Sequence, residues 1–261
     1  MRSGPRPSRQ RPAAAGIWLY GTHAVLAAVA NPARQIRRLV AGEGGRERLQ
    51  AAAASAPAAR PEVEVCERRV LEALLPPGAV HQGMAALAAP LAELSLEDLL
   101  DRVRDEPRVR LVVLDQATDP RNVGAVIRSA AAFGAAAVLS QDRHAPAATG
   151  ALTKAAAGGL ERVPLIAVVN LARALRTLQD AGFCCIGLDA QAKPMLASLP
   201  RAERTALVLG SEGNGLRRLV RESCDLLARI PIAAGSESLN LSAAAAIALY
   251  ELVRDGGDGG A

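Results

Sequence analysis

The chain has 261 residues, half of them hydrophobic, with a formal net charge of +5. That length supports one large core or two smaller ones, and no run of about 18 apolar residues is free of charges or turn formers, which excludes a membrane-spanning helix. The basic balance, with a pI near 9.5, favours an anionic partner, but arginine supplies nearly all of it beside the two lysines Lys154 and Lys193, and the alanine-rich composition points to genome bias.

In chain order, the opening MRSGPRPSRQRP carries four arginines with no apolar segment behind them. Residues 1–15 therefore read as a disordered basic tail and not as a secretory signal. Residues 16–90 read as a small α/β unit. GTHAVLAAVA is helical, RQIRRLVAG a strand and RERLQAAAASA a helix; PEVEVCE is a strand, RRVLEALLP a helix, and HQGMAALAAP returns to strand. Residues 91–107, LAELSLEDLLDRVRDEP, are charged and amphipathic, a linker or bridging helix.

From residue 108 to about 256 the alternation is stronger. RVRLVVLDQA is a near-continuous apolar strand, followed by the helix NVGAVIRSAAAFG, the strand AAAVLS and the helix GALTKAAAGG. RVPLIAVV, FCCIGLD, TALVLG and LLARIPI continue as strands, with LARALRTLQDAG and GLRRLVRESC as helices and SLNLSAAAAIALYELVRD closing the chain. Buried strands alternating with helices predict an α/β fold with a mostly parallel sheet covered on both faces.

Cys66, Cys184, Cys185 and Cys224 form no C-x-x-C pair or Cys/His cluster. They read as free thiols of a cytoplasmic protein, and no metal site is expected. His23, His81 and His144 stand isolated and read as structural or surface residues.

Ligands of such sheets gather beyond the carboxyl ends of the strands, and three polar segments fall there. In DPRNVGAVIRSAAAFG (119–134), Asn122 reads as a helix N-cap, a functional residue or both. Arg128 interrupts an otherwise apolar helix, so it reaches solvent or an anion. LGSEGNGL (209–216) reads as an ordinary glycine-rich turn with Glu212 in water, or as a cradle of backbone N–H groups before a helix. IPIAAGSESLNLS (230–242) could simply be a helix start capped by Asn240 or Ser238. Neither the dinucleotide fingerprint nor a P-loop is present, which counts against a nucleotide-dependent oxidoreductase or kinase.

In this order the three segments resemble the motifs of the SPOUT-class (trefoil-knot) RNA ribose 2′-O-methyltransferases, the TrmH/RlmB family. The family's first motif holds an Asn and an Arg six apart, matching Asn122 and Arg128; its second a glutamate between glycines, matching Glu212; its third a Ser-Leu-Asn, matching Ser238, Leu239 and Asn240. The similarity covers roughly residues 17–254. YGTHAV (20–25) and GAVHQGM (78–84) resemble the ends of the family's ribosomal-protein-like RNA-binding domain, which favours the branch that methylates a guanosine of large-subunit (23S) rRNA. Leu241 stands where valine is frequent in the family, and the Arg-rich tail lies outside the resemblance.

The resemblance implies a catalytic domain over 108–256 with a deep trefoil knot threaded by about 205–250, a topology that general folding rules nearly exclude. It also implies a homodimer with its active site across the subunit interface. S-adenosylmethionine would be held by Gly210, Ile230 and Leu239, largely through backbone, with Ser238 among its contacts. Asn122, Arg128, Glu212 and Asn240 would be catalytic. Since a guanidinium is a poor base, Arg128 would bind the target phosphate and stabilise developing alkoxide charge. The asparagines would fix geometry, and Glu212 would orient the first motif or Arg128, a role as base staying open. A tRNA or another rRNA target, or a non-catalytic RNA-binding protein of the same fold, are the alternatives. With only Trp18, Tyr20, Phe133, Phe183 and Tyr250 as aromatics, RNA would be read by shape and backbone.

Overall fold

A computed structural model describes residues 16–142, 150–233 and 238–254. The expected basic tail, His144 and residues 234–237 of the third polar segment lie outside the described residues. Two sheets organise the chain. The first holds β1 (Ile17–Tyr20), β2 (Ile36–Ala41), β3 (Val63–Val65) and β4 (Met84–Ala88) in the order β1-β4-β2-β3. β4 is antiparallel to β1 and β2, and β3 is parallel to β2. Helices α1 (Thr22–Ala30), α2 (Glu43–Ala54) and α3 (Arg68–Ala73) make the connections.

Side chains alternate across these strands. Leu39, Ala41 and Ala86 therefore meet Val25, Val29 and Leu49 of α1 and α2, while Tyr20, Val40 and Ala85 meet Leu71 of α3 on the other face. The helices and strands read from residues 16–90 are all present. β1, the four residues IWLY, is too short for its pattern to announce it; its register is set by pairing with β4.

The second sheet is parallel throughout: β5 (Val109–Leu114), β6 (Ala137–Gln141), β7 (Leu165–Val168), β8 (Cys184–Leu188), β9 (Arg204–Leu209) and β10 (Leu226–Ala228), in the order β10-β8-β9-β5-β6-β7. Helices α4 (Leu96–Arg102), α5 (Pro120–Ala132), α6 (Gly150–Ala155), α7 (Leu171–Asp180), α8 (Arg218–Glu222) and α9 (Leu241–Val253) cover it. The apolar run of β5 is explained by burial on both sides. Val112 and Leu114 pack with Val123, Val126 and Ile127 of α5 and Ala245 and Leu249 of α9. Val109, Leu111 and Val113 face Leu96 and Leu99 of α4 and Leu171, Leu175 and Leu178 of α7. The stretch 91–107 thus contributes a helix that packs against this sheet, opened by a Ser95–Asp98 capping box.

The two sheets are joined through a buried ion pair. Arg34 Nη2 lies 3.0 Å from Glu161 Oε1, with both side chains under 5% exposed. Asn31 Nδ2 donates to Glu161 Oε2 at 2.7 Å, and Arg34 Nη1 to the Ala89 carbonyl at 2.9 Å. Burial pulls the Arg34 guanidinium below its ordinary pKa, opposed by the charge of Glu161. No helix among the described residues is long and apolar enough to cross a membrane.

Candidate active site

β5 and β9 are neighbours, so the loops leaving their carboxyl ends meet at the centre of the parallel sheet. The first loop starts at Asp115, which is fully buried. It accepts from the Arg217 backbone N–H at 2.9 Å and Nε at 2.7 Å, tying the loop after β5 to the end of the loop after β9. A lone acid at the end of an apolar strand was the only sequence signal for Asp115, and the motif reading passes over it. Asp119 then caps α5, accepting from the Arg121 N–H at 2.9 Å, with Pro120 in the first turn. Asn122 is therefore inside the first turn and not the N-cap, one of the two readings its sequence left open.

The second loop folds back on itself. Ser211 and Gly215 exchange backbone hydrogen bonds at 3.2 and 3.0 Å, and Gly213 and Gly215 take positive φ, where glycine is unstrained. A Cβ on Gly210 would lie 2.0 Å from the Gly215 carbonyl carbon, so no side chain fits there. This closed turn presents Glu212. Its Oε1 accepts from Asn122 Nδ2 at 2.9 Å, Asn240 Nδ2 at 2.7 Å and the Leu241 N–H at 3.1 Å. Asn240 Nδ2 also reaches Asn122 Oδ1 at 3.1 Å, while its own Oδ1 caps α9 through the Ser242 and Ala243 N–H groups. Glu212, although exposed, is thus the acceptor that joins all three motif segments. No described residue bonds its Oε2.

Arg128 is placed apart from this trio. Six residues along a helix advance about 9 Å and turn the side chain to another face. It is exposed and lines a cavity of about 170 Å³ shared with His23 and Arg162. Gly124, between the two motif residues, allows α5 and α6 to touch: a Cβ there would meet that of Ala155 at 2.6 Å. Gly210 follows β9 directly, two residues before Glu212, and Ile230 packs on the core containing Leu209 and Leu241. Leu239 is half-buried and Ser238 exposed. The Ser211 hydroxyl, beside Gly210, is buried with no partner. No group of three or more His, Cys, Asp or Glu fit for a metal occurs among the described residues. A larger cavity, about 310 Å³, lies at the opposite, amino ends of β5 and β9, near Arg110 and Thr205, away from the motif loops.

Residues 110–250 match the SpoU rRNA methylase family, over more than half of the chain. The chain belongs to the SpoU rRNA methylase family. Residues 18–94 match a second model, the RNA 2′-O ribose methyltransferase substrate-binding domain. Among relatives of this SpoU methylase, the 23S rRNA (guanosine-2′-O-)-methyltransferase RlmB of Pseudomonas putida is 38% identical over 90% of this chain and 95% of its own. That of Xylella fastidiosa is 40% identical over 91% and 96%. In structure it is similar to a putative TrmH-family RNA methyltransferase from Porphyromonas gingivalis (25% identity, TM-score 0.70, covering 92% and 90%). The SpoU methyltransferase AviRb from Streptomyces viridochromogenes, solved with AdoMet, shares the fold at 24% identity, TM-score 0.74, over 95% and 93%.

Proposed function

We propose that this SpoU methylase transfers a methyl group from S-adenosylmethionine to the ribose 2′-hydroxyl of a guanosine in 23S rRNA, as a cytoplasmic homodimer. The observation that carries the reading is the convergence of Asn122, Glu212 and Asn240, from three distant segments, on one carboxylate oxygen. A purely RNA-binding protein has no need of that junction. The activity carried in the names of the bacterial relatives supports the guanosine target.

The residues beside the junction fit a cofactor. The unpartnered Ser211 hydroxyl, buried beside Gly210, awaits a hydrogen-bonding group, and the backbone at Gly210, Ile230, Leu239 and Ser238 would hold S-adenosylmethionine, whose sulfonium supplies the methyl group. Glu212 keeps Asn122 and Asn240 in one geometry, which is how positioning lowers a transfer barrier. Arg128 would bind the phosphate beside the reacting ribose through its guanidinium fork and stabilise negative charge growing on the 2′-oxygen; the proton would pass to that phosphate or to water.

Arg128 faces away from the trio of its own chain, so the proposal assigns it to the trio of a partner subunit. Exposed Ile247 and Tyr250 on α9, with Phe133 at the end of α5 against the Tyr250 ring at 6.2 Å, support an apolar dimer face. The same reading includes the family's knot, supported by the return of the chain from edge strand β10 to Asn240 at the sheet centre.

The test offers methyl-labelled S-adenosylmethionine with unmodified rRNA and tRNA separately, followed by alkaline hydrolysis. Label in alkali-resistant dinucleotides from large-subunit rRNA is expected. Label in tRNA alone overturns the substrate, and none in either overturns the reaction. Arg128→Ala should abolish transfer and leave cofactor affinity unchanged; equal loss of cofactor binding would contradict the assignment.

A further inference from the structure

The cavity that Arg128 lines belongs to both units of the chain. α1 contributes His23 from its first turn, α5 contributes Arg128, and the turn following α6 contributes Arg162. All three side chains lie on exposed residues, and among the described residues none has an acidic partner. Glu161, next to Arg162, is already engaged by Arg34 and Asn31. Two guanidiniums and an imidazole therefore face one cavity without a counterion among the described residues, an arrangement that an anion relieves.

The walls are built to hold that spacing. Ala157 has φ 47°, a left-handed conformation costly for a residue with a side chain, and Gly158 follows at φ 87°. A Cβ on Gly158 would lie 2.5 Å from that of Ala27, and one on Gly159 3.0 Å from the Ile127 carbonyl oxygen. The turn is thus wedged between α1 and α5, and the Arg34–Glu161 pair anchors it from behind. The volume, about 170 Å³, corresponds to several waters at about 30 Å³ each, enough for a phosphate and its neighbouring sugar atoms.

We propose that this cleft is a phosphodiester subsite for the substrate RNA, in which His23 and Arg162 join Arg128 around one backbone phosphate. Arginine forks suit phosphate oxygens, and an imidazole N–H donates to the same group. The N-terminal unit would then help to set the charge around the target, and the wedged turn would hold His23 at a constant distance from Arg128. The inference rests on the RNA-methylating reading above.

The experiment measures binding of an unmodified 23S rRNA fragment, without cofactor, between 50 and 200 mM salt (on the order of the range where phosphate contacts dominate). Arg162→Gln should weaken binding about tenfold and lower the slope of log affinity against log salt by about 0.7–0.9, the value of one phosphate contact. His23→Gln should weaken it by a few fold, and S-adenosylmethionine affinity should hold in both. Arg162→Lys should restore the salt slope and part of the affinity. In turnover, KM for RNA should rise more than kcat falls. Wild-type affinity and slope in both glutamine variants would overturn the proposal, as would a loss that Arg162→Lys does not restore. The binding assay needs no methyl transfer, so an inactive wild type that still binds through this cleft defeats the functional reading alone.

Discussion

Three donors meet on one oxygen of Glu212. Glu212→Ala would leave the Asn122 and Asn240 amides and the Leu241 N–H without their acceptor. Transfer should fall on the order of 10²-fold, as expected for a misplaced constellation. Glu212→Gln keeps an acceptor oxygen and should lose clearly less; equal losses in single-turnover rates would show that charge, not acceptance, matters. The thiols make a second argument at this scale. Burial, then Asp225 and Asp115, push the Cys224 thiol up to about 12, and burial and Asp225 raise Cys185 further. An unfolded thiol ionises near pH 8.5, so the folded state binds these protons more tightly. Their contribution to stability is complete below about pH 8.5 and is lost as pH rises towards the folded values. The chain has two tyrosines and two lysines to confuse that range. Urea midpoints should fall from pH 8 to pH 10.5 (roughly the window those values define), and less steeply in Cys224→Ala.

At the scale of elements, the loop between β9 and α8 shapes the candidate site. Its closure needs Gly210 to lie against Gly215, where a Cβ would fall 2.0 Å from a backbone carbon. Gly210→Ala should cost about 3 kcal/mol, the upper part of the range for overpacking, lowering Tm by roughly 6–12 °C and removing cofactor binding. A thermal melt within about 2 °C of wild type would mean that the loop opens easily. α5 works differently: one end delivers Asn122 to Glu212 and its middle delivers Arg128 to the cleft with His23. One helix thus presents Asn122 and Arg128 to two different places through its 3.6-residue period.

Across the whole molecule, the ion pair between Arg34 and Glu161 sets how the two sheets meet. Removing one partner strands a buried charge, a loss on the order of 3–5 kcal/mol, and the Arg34 Nε already lacks an acceptor. Glu161→Gln should therefore destabilise strongly in urea. The double variant Arg34→Met with Glu161→Leu should lose less than the sum of its single changes, because two apolar side chains leave no charge behind. Additive losses would show that the pair is not the joint.

By itself, the sequence determined most of the element types, and the candidate chemical residues came from its three motif segments. The apolar run at 109–114, the helical period of 171–180 and the glycines around Glu212 are local signals, and local backbone preference and burial suffice to read them. The families of loops at strand ends follow from the parallel sheet they imply. Tertiary structure decided which of those residues meet. Asn122 pairs with Glu212 across 90 residues of chain and with Asn240 across 118, and no local period encodes such contacts. It made Asp119 the cap and released Asn122, buried Asp115 against Arg217, and turned Arg128 away from its motif partners towards His23. A histidine that looks isolated along the chain becomes part of a charged cleft because sheet order and helix packing, not sequence distance, choose a residue's neighbours.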